Sequence, residues 1–390
     1  MRTRRWASRL DDIQPFHVMA LLGRAKAMEA SGRDIIHLEV GEPDFPTPAP
    51  ILAAGQAALA RGETFYTPSL GLPALREAIS GWYRGRFGVA VSPGQIVVTP
   101  GASGALLLAL ALVADPRERV LLADPGYPCN RHFLTVLGAR AQTVPVSAAS
   151  GFQLSAADVG REWQADTVAA LIATPTNPVG GVLSRAALAE LAAAVRPRGH
   201  LLVDEIYQGL NFGAEPPHTA LAVEPDAIVL NSFSKFFGMT GWRAGWLVAP
   251  PDAEPELAKL AQNLYIAAPT VAQHAALAAF HPDTLAILEQ RRAEFARRCA
   301  YLVPALERLG FRIPVPPQGA FYVYADVSAF TQDSYGFCEA LLEQEGVAIT
   351  PGIDFGSADA ARYVRFACTR PLDRLEEAVR RIARFTGQAG

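Results

Sequence analysis

The sequence predicts an α/β fold in which a mostly parallel, mixed sheet is sandwiched by helices, with a smaller α+β domain attached. Short aliphatic runs alternate with helical segments between residues 95 and 249, which is typical of a parallel sheet covered on both faces. Beyond residue 257 the pattern changes to long helical segments with few strands. The chain has 390 residues, enough for one large domain and a smaller one.

The elements follow in order along the chain. An amphipathic segment (18–29), a short strand (35–40), a loop rich in glycine and proline (41–50) and two helices (51–61 and 73–87) precede the sheet. The predicted sheet strands are 95–99, 119–123, 141–146, 168–173, 200–204, 227–231 and 245–249, with helices at 104–113, 128–137 and 184–196. A helical stretch (257–298), a strand (320–327), a helix (335–344), a strand (362–367) and a final helix (372–385) complete the chain.

The composition excludes several classes of function. Half of the residues are hydrophobic, 19% are charged and the net charge is −3, so a globular protein with small-molecule partners is expected, without nucleic acid or membrane binding. The cysteines form no CxxC pair, which predicts reduced thiols and no metal site; they are Cys129, Cys299, Cys338 and Cys368. No apolar segment follows the basic N-terminal residues, so we expect no signal peptide and a cytoplasmic location.

Lysine is rare in this chain. Of 35 basic residues only Lys26, Lys235 and Lys259 are lysines. Arginine stays protonated and cannot form a stable imine with an aldehyde at neutral pH. A lysine retained against this bias is a candidate for chemistry, whereas Lys26 and Lys259 lie in helical surface contexts.

Lys235 follows a predicted strand, in the segment NSFSKFFGMTGWRAG (231–245). Ser232, Ser234 and Arg243 lie near it in sequence and could bind a phosphate. Three neighbouring phenylalanines would partly desolvate the amine and favour its neutral, nucleophilic form. An exposed, charged loop lysine is the equally open alternative.

Polar residues also follow two other predicted strands. Asp204 ends an apolar strand. Its carboxylate either faces solvent in a structural role or faces a ligand cation such as a protonated ring nitrogen. Tyr207, three residues later, could hydrogen-bond a phenolic oxygen. Asn177 lies between two prolines in TPTNPVGG, which holds the loop rigid; a turn residue or a ligand-binding amide both fit.

The segment TPGASG (99–104) joins a strand to a helix and suits a phosphate. Gly101, Ala102 and Ser103 would present free N–H groups at the positive end of the helix dipole, although Ser103 is equally a plain N-cap. Tyr127, after another strand, could stack on a flat ring. Arg365 could bind a carboxylate bidentately or form a surface ion pair.

Taken together, these segments resemble the class I/II aminotransferases of pyridoxal 5′-phosphate (PLP) fold type I. The resemblance covers nearly the whole chain and rests on the joint order of its motifs: GEPDF, YTPSLGLPALREAI, TPGASGAL, DPGYP, TPTNPVGG, VDEIY, SFSKFFGMTGWRAG, QGAFYVYADVS, TPGIDFG and YVRFA. The string SFSK followed by MTGWRAG is the most specific. The resemblance implies a large PLP-binding domain (49–285) and a small domain formed by both chain ends (1–48 and 286–390).

The resemblance also implies roles for individual residues. Lys235 would hold the cofactor covalently and move a proton, Asp204 would pair with the ring nitrogen, and Asn177 and Tyr207 would bind the phenolic oxygen. Tyr127 would stack on the ring. The residues implied at the phosphate are Gly101, Ala102, Ser103, Ser232, Ser234 and Arg243. Those implied at the substrate carboxylate are Gly41, Asn177 and Arg365. Tyr66 would reach the phosphate of a neighbouring subunit, which implies a homodimer with shared sites.

The function so implied is ping-pong transfer of an amino group from an L-amino acid to a 2-oxo acid, with 2-oxoglutarate or pyruvate as the acceptor by analogy. Phe16 and His17 stand where many relatives carry small polar residues, which favours a neutral or apolar donor over aspartate. A second arginine for an acidic donor cannot be placed from sequence, Arg24 and Arg131 being candidates. A PLP-dependent C–S β-lyase shares nearly all of these residues and stays an alternative, as does aspartate aminotransferase. A PLP-binding regulator is disfavoured because no basic helix-turn-helix segment precedes the motifs.

Overall fold

A computed structural model describes residues 5–388. The predicted domain ranges extend to residues 1–4 and 389–390, which lie outside the described part. The strands are β1 (Ile36–His37), β2 (Ile96–Thr99), β3 (Arg119–Asp124), β4 (Arg140–Pro145), β5 (Thr167–Ala173), β6 (His200–Asp204), β7 (Ile228–Ser232), β8 (Gly245–Val248), β9 (Tyr322–Asp326), β10 (Val347–Ala348), β11 (Thr350–Pro351) and β12 (Tyr363–Ala367). The α-helices are α1 (His17–Ala30), α2 (Ala49–Ala60), α3 (Pro73–Phe87), α4 (Gly101–Val113), α5 (Cys129–Leu137), α6 (Ala156–Glu162), α7 (Arg185–Val195), α8 (Glu254–Leu264), α9 (Thr270–Leu277), α10 (Pro282–Arg308), α11 (Ser334–Glu345) and α12 (Leu372–Phe385).

The central sheet confirms the predicted α/β fold. Its strand order is β2-β8-β7-β6-β5-β3-β4. Strands β3 to β7 pair in parallel, whereas β8 runs antiparallel to both of its neighbours, β7 and β2. Six of the strands are rich in aliphatic residues and largely buried, as a sheet covered on both faces requires, whereas the edge strand β4 is polar and mostly exposed.

The reversed direction of β8 decides where the site lies. The carboxyl ends of the other strands meet at one edge of the sheet, and the amino end of β8 lies at that same edge. Ser232, the last residue of β7, is paired in register with Gly245, the first residue of β8, and Thr99 at the end of β2 is paired with the same glycine. The loops that follow β2, β3, β5 and β6 and the loop that joins β7 to β8 therefore converge.

Two small sheets lie outside the central one. Strands β11, β12 and β9 form an antiparallel sheet in that order, and β1 pairs in parallel with β10. The pairing of Ile36 with Val347 places the two ends of the chain together. The boundaries of the two domains stay a prediction.

The long helical stretch predicted over residues 257–298 is wrong, because the segment contains three helices. Helix α8 ends at Leu264, and Ile266 adopts a left-handed backbone conformation with φ of 67° that no α-helix accommodates. Pro269 and Pro282 then precede or begin the next two helices, where a proline needs no N–H partner. Helix α6 and strands β10 and β11 were not predicted. Within residues 5–388, no helix is long and apolar enough to cross a membrane.

Candidate active site

A cavity of about 390 Å³ opens at the edge of the sheet where the loops converge. Most of the side chains singled out in the sequence line it. The lining residues are Phe16, Val18, Met19, Glu39, Val40, Gly41, Glu42, Ala102, Ser103, Leu106, Tyr127, Pro128, Phe133, Ala173, Asn177, Asp204, Ile206, Tyr207, Leu230, Ser234, Lys235, Thr240, Arg243, Tyr322, Thr350, Asp354, Phe355 and Arg365.

Lys235 lies in this cavity rather than on the outer surface. It follows β7 in the loop that leads to β8, and its Nζ donates a hydrogen bond of 2.6 Å to the main-chain oxygen of Gly41. Burial lowers the pKa of Lys235 to about 8. A larger neutral fraction at physiological pH makes this amine a better nucleophile than an exposed lysine.

The carboxylate of Asp204 ends β6 and also faces the cavity. Among the described residues its only hydrogen-bond donor is the main-chain N–H of Ile206, at 3.0 Å. Burial raises the pKa of Asp204 to about 6, and the nearby Lys235 opposes this rise only weakly. A carboxylate so desolvated, without an arginine partner in the described structure, is suited to a ligand that carries a positive charge or an N–H.

Arg243 lies beside the N-terminus of α4. Its Nη1 donates to the main-chain oxygen of Thr240 at 3.0 Å, and no carboxylate of residues 5–388 forms an ion pair with it. Gly101, at φ of 72°, allows this approach, because a Cβ there would clash with the Arg243 guanidinium. The guanidinium and the free N–H groups of the first turn of α4 together suit a phosphate. Ser103 and Ser234 line the same region of the cavity.

Arg365 is held in place by neutral groups only. Its Nη1 donates to Oδ1 of Asn177 at 2.8 Å, and its Nη2 donates to the main-chain oxygen of Glu39 at 2.6 Å. The rings of Tyr322 and Phe355 lie 4.3 Å and 4.8 Å from its Cζ. The arginine is 5% exposed, and its Nε has no hydrogen-bond partner among residues 5–388. A buried cation without an anion in the described structure fits the carboxylate of a substrate.

Two tyrosines complete this side of the cavity. The hydroxyl groups of Tyr207 and Tyr322 share a hydrogen bond of 2.7 Å. Gly41 is needed for this arrangement, since a Cβ at that position would clash with the Tyr322 hydroxyl. Tyr127 also lines the cavity and is 39% exposed, so its ring is available to a ligand.

Three residues predicted for the site do not line the cavity. Gly101 supports Arg243 from behind, as described above. Ser232 is buried beneath Ser234, whose main-chain N–H donates to the Ser232 hydroxyl at 2.9 Å. Tyr66 is 80% exposed on the outer surface of the chain.

Of the positions considered for donor selectivity, the structure places some in the cavity wall and others outside it. Phe16 lines the cavity, whereas the ring of His17 packs edge-on against Tyr335 at 5.3 Å and is not part of the lining. Arg24 forms ion pairs with acidic residues of α11, and Arg131 points one nitrogen towards the main-chain oxygen of Asp354, 3.5 Å away. Arg243 and Arg365 are therefore the arginines that this chain's described residues contribute to the cavity wall.

Sequence reasoning missed several lining residues. Tyr322 lies within QGAFYVYADVS, where an aromatic residue inside an apolar strand is indistinguishable by sequence from a core residue. Asp354 and Phe355 belong to the quoted string TPGIDFG, and Glu42 belongs to GEPDF. No local signal distinguishes these residues from ordinary turn residues.

Comparison with known proteins gives consistent results. The family model for aminotransferase class I and II matches residues 33–382. The valine–pyruvate aminotransferase of Mycobacterium tuberculosis is 39% identical over 372 residues, which are 95% of this chain and 96% of that protein.

Solved structures agree with the sequence matches. The crystal structure of an aminotransferase from Mycobacterium tuberculosis superimposes with a TM-score of 0.95 at 38% identity, covering 99% of this chain and 100% of the other. Aspartate aminotransferase from Thermus thermophilus, solved with maleate, gives a TM-score of 0.92 at 32% identity, covering 98% of this chain and 100% of the other.

Proposed function

Because the chain belongs to the class I and II aminotransferase family, we propose that it is a pyridoxal 5′-phosphate-dependent enzyme that moves an amino group from an L-amino acid to a 2-oxo acid. One observation carries the proposal. A single cavity contains a lysine of lowered pKa, a desolvated carboxylate and two arginines without acidic partners among the described residues. These groups match an aldehyde, a protonated ring nitrogen, a phosphate and a substrate carboxylate.

The residues of the cavity fit the cofactor by their chemistry. Arg243, Ser234 and the N-terminus of α4 would hold its phosphate, and Asp204 would hold its ring nitrogen. Tyr127 would stack on the ring, and Tyr207 and Asn177 would bind its phenolic oxygen. When bound, pyridoxal phosphate supplies an aldehyde that condenses with amines and a ring that accepts electron density from the substrate.

The chain itself supplies binding and proton transfer. Arg365 would bind the substrate α-carboxylate, with the main-chain N–H of Gly41 and the Asn177 amide beside it. The neutral amine of Lys235 would accept the proton from the substrate Cα and hold it for the later protonation step. Asp204, as a carboxylate, keeps the ring nitrogen protonated and so favours loss of that proton. Lys235 and Asp204 are only partly exposed, which limits the access of water during the transfer.

The order of events is proposed to be ping-pong. The cavity contains one arginine suited to a substrate carboxylate, so donor and acceptor would occupy the same place in turn. The donor would leave as a 2-oxo acid before the acceptor enters.

A neutral or apolar donor is favoured. Phe16, Val18, Met19 and Phe355 line the cavity, and no third arginine of the described residues does. The similarity to a valine–pyruvate aminotransferase agrees with such a donor. The similarity to an aspartate aminotransferase supports aspartate as the alternative donor. In that case a cationic residue of a second subunit would bind the side-chain carboxylate of aspartate.

We also propose a homodimer with shared sites. Phe65 and Tyr66 are 83% and 80% exposed, and Leu264 and Ile266, in the segment that leads to Thr270, are about half exposed. The main-chain oxygen of Phe65 accepts a hydrogen bond of 2.7 Å from the Thr270 hydroxyl, which joins the two segments. Exposed apolar surface of this kind is typical of a protein interface. Tyr66 would then reach the phosphate of the partner subunit.

The test is a screen of single amino acids against the purified, PLP-loaded protein. An amino donor shifts the absorbance of the cofactor without a second substrate, and a 2-oxo acid restores it. Apolar amino acids are expected to give the fastest shifts. Release of pyruvate and ammonia from cystathionine, without any such reversible shift, would instead identify a β-lyase.

A further inference from the structure

The first turn of α1 has no capping group of its own. Phe16 precedes the helix and makes no side-chain bond to it, and no acidic residue lies in the first turn. Instead the carboxylate of Asp354 accepts hydrogen bonds from the main-chain N–H groups of His17, at 2.7 Å, and Val18, at 2.8 Å. An acidic residue 337 positions away thus accepts hydrogen bonds from two of the free N–H groups, and its negative charge interacts favourably with the positive end of the helix dipole.

This first turn forms part of the cavity wall. Phe16, Val18 and Met19 all line the cavity, as does Asp354 itself. The Phe16 ring also meets the ring of His132 edge-on, with centroids 6.4 Å apart. The placement of three apolar side chains therefore depends on where the helix begins.

Few other contacts fix the beginning of α1. Only Leu21 and Ala25 of the helix are buried, and both lie beyond the first turn. The helical turn before it, Ser8–Asp12, contains no buried residue. Asp354 is 4% exposed, so the acceptor side of its two hydrogen bonds is shielded from water, which makes them stronger than those of a fully exposed cap.

Asp354 is itself tied to the edge of the central sheet. The neighbouring Phe355 accepts a hydrogen bond of 2.8 Å from the N–H of Gly126, which follows β3. The Asp124 carboxylate at the end of β3 accepts from the N–H of Ser357 at 3.1 Å and from its hydroxyl at 2.9 Å. Phe355 also packs against the Arg365 guanidinium. The loop that carries Asp354 thus joins α1 to the sheet edge and to Arg365.

We propose that Asp354 is a positioning residue that sets donor selectivity, by fixing the first turn of α1 as the apolar wall of the cavity. The inference rests on the proposed function, since it concerns which amino acids are accepted. A donor with a large apolar side chain gains from contact with this wall, whereas alanine has no side chain long enough to do so.

The test compares Asp354→Ala and Asp354→Asn with the unaltered enzyme, using leucine and alanine as donors. Loss of a helix cap changes equilibria by about fivefold to tenfold. In Asp354→Ala the ratio of kcat/KM for leucine to that for alanine is expected to fall about as much, mainly through a higher KM for leucine. Asp354→Asn should show a smaller fall, because its amide oxygen can still accept a hydrogen bond.

A control is available in α7, which packs on α6 and β6 and contributes no residue to the cavity lining. Ser184 caps that helix by accepting from the N–H of Ala187 at 3.2 Å. Ser184→Ala removes this cap and should leave the leucine-to-alanine ratio unchanged.

A second measurement does not depend on turnover. Amide hydrogen exchange at His17 and Val18 should become at least tenfold faster in Asp354→Ala and stay slow in Ser184→Ala. Unaltered exchange at these two amides, or an unaltered donor ratio in both Asp354 variants, would overturn the inference while leaving the proposed function intact. Wild-type enzyme that converts no amino acid refutes the proposed function, and the selectivity role falls with it.

Discussion

The Nζ of Lys235 lies 2.6 Å from the main-chain oxygen of Gly41, although 194 positions separate the two residues. Lys235 belongs to the loop after β7, whereas Gly41 lies in the segment between β1 and α2. The contact brings the amine proposed to react and the backbone proposed to bind substrate into one cavity. Several predictions about this cavity can be tested.

Replacing Lys235 by alanine should abolish transamination, because no other described side chain offers a neutral amine in the cavity. The change is measured as turnover with an excess of amino donor and as the absorbance of added PLP. Lys259→Ala is the control, since Lys259 pairs with Glu256 on the surface of α8. Full activity in Lys235→Ala would exclude the proposed role.

Asp204→Asn should lower activity by several orders of magnitude and at the same time stabilise the cofactor-free protein at neutral pH. The pKa of Asp204 rises from 3.8 when exposed to about 6 in the folded chain. Between these values the folded state binds more protons than the unfolded state, so stability falls as pH increases through this window. At pH 7.5 the variant should gain on the order of 2 kcal/mol in the free energy of unfolding.

Denaturant unfolding of the cofactor-free proteins at pH 5 and pH 7.5 measures this difference. The gain should be smaller at pH 5, where the folded carboxyl is mostly protonated. Asp252→Asn, at an exposed position, serves as the control. An equal gain at both pH values would show that charge burial is not its cause.

Arg365→Ala should raise the KM for every amino donor and lower kcat/KM by about a hundredfold, which corresponds to about 3 kcal/mol for a lost charge-assisted pair. Uptake of PLP should change little, because the phosphate is assigned to Arg243. Steady-state kinetics and a cofactor titration separate the two effects. Arg362→Ala, which removes an arginine paired with Asp326 outside the cavity, is the control.

Gly41→Ala and Tyr322→Phe should have non-additive effects. The new Cβ at position 41 would displace the Tyr322 ring and break its hydrogen bond to Tyr207. With phenylalanine at position 322 the clashing hydroxyl is absent, so Gly41→Ala should then cost less activity. A double-mutant cycle on kcat/KM measures the coupling, and strictly additive losses would argue against this contact.

Tyr66→Ala and Lys235→Ala should complement each other if the sites are shared. Tyr66→Ala alone would have reduced activity, and Lys235→Ala alone would have none. A mixed dimer would contain one site with an intact lysine from one subunit and an intact tyrosine from the other. After equal amounts of the two variants are dissociated and mixed, about half of the dimers are mixed and each has one intact site. Activity that rises towards about a quarter of the wild-type value would support the shared site, and a lack of any rise would contradict it.

The sequence predicts the site better where chemistry is local than where it depends on distant contacts. Lys235, Asp204 and Asn177 follow strands whose carboxyl ends must meet, so their convergence follows from the pattern of a parallel sheet. Tyr322 and Asp354 act through partners 115 and more than 300 positions away, and their own surroundings resemble core and turn. The resemblance supplies Tyr66, whose place a single chain cannot define.

The fold was predictable to a similar extent. The sequence pattern predicts all seven strands of the central sheet. Most of them are aliphatic runs bounded by glycine, proline and polar residues, whereas the edge strand β4 is more polar. The two-residue strands β10 and β11 were missed because such short segments carry no periodicity. The division of residues 257–298 into three helices depends on the left-handed backbone conformation of Ile266. A β-branched residue rarely adopts this conformation, so the sequence does not predict a break there.

The antiparallel direction of β8 has a consequence for how this sequence can vary. Lys235 and Arg243 lie on one hairpin, between paired positions Ser232 and Gly245 of adjacent strands. The number of residues between the amine and the guanidinium is therefore set by the closure of that hairpin. An insertion or deletion inside it would shift one group relative to the other, so a change of length is expected to disturb the site even when both side chains are kept.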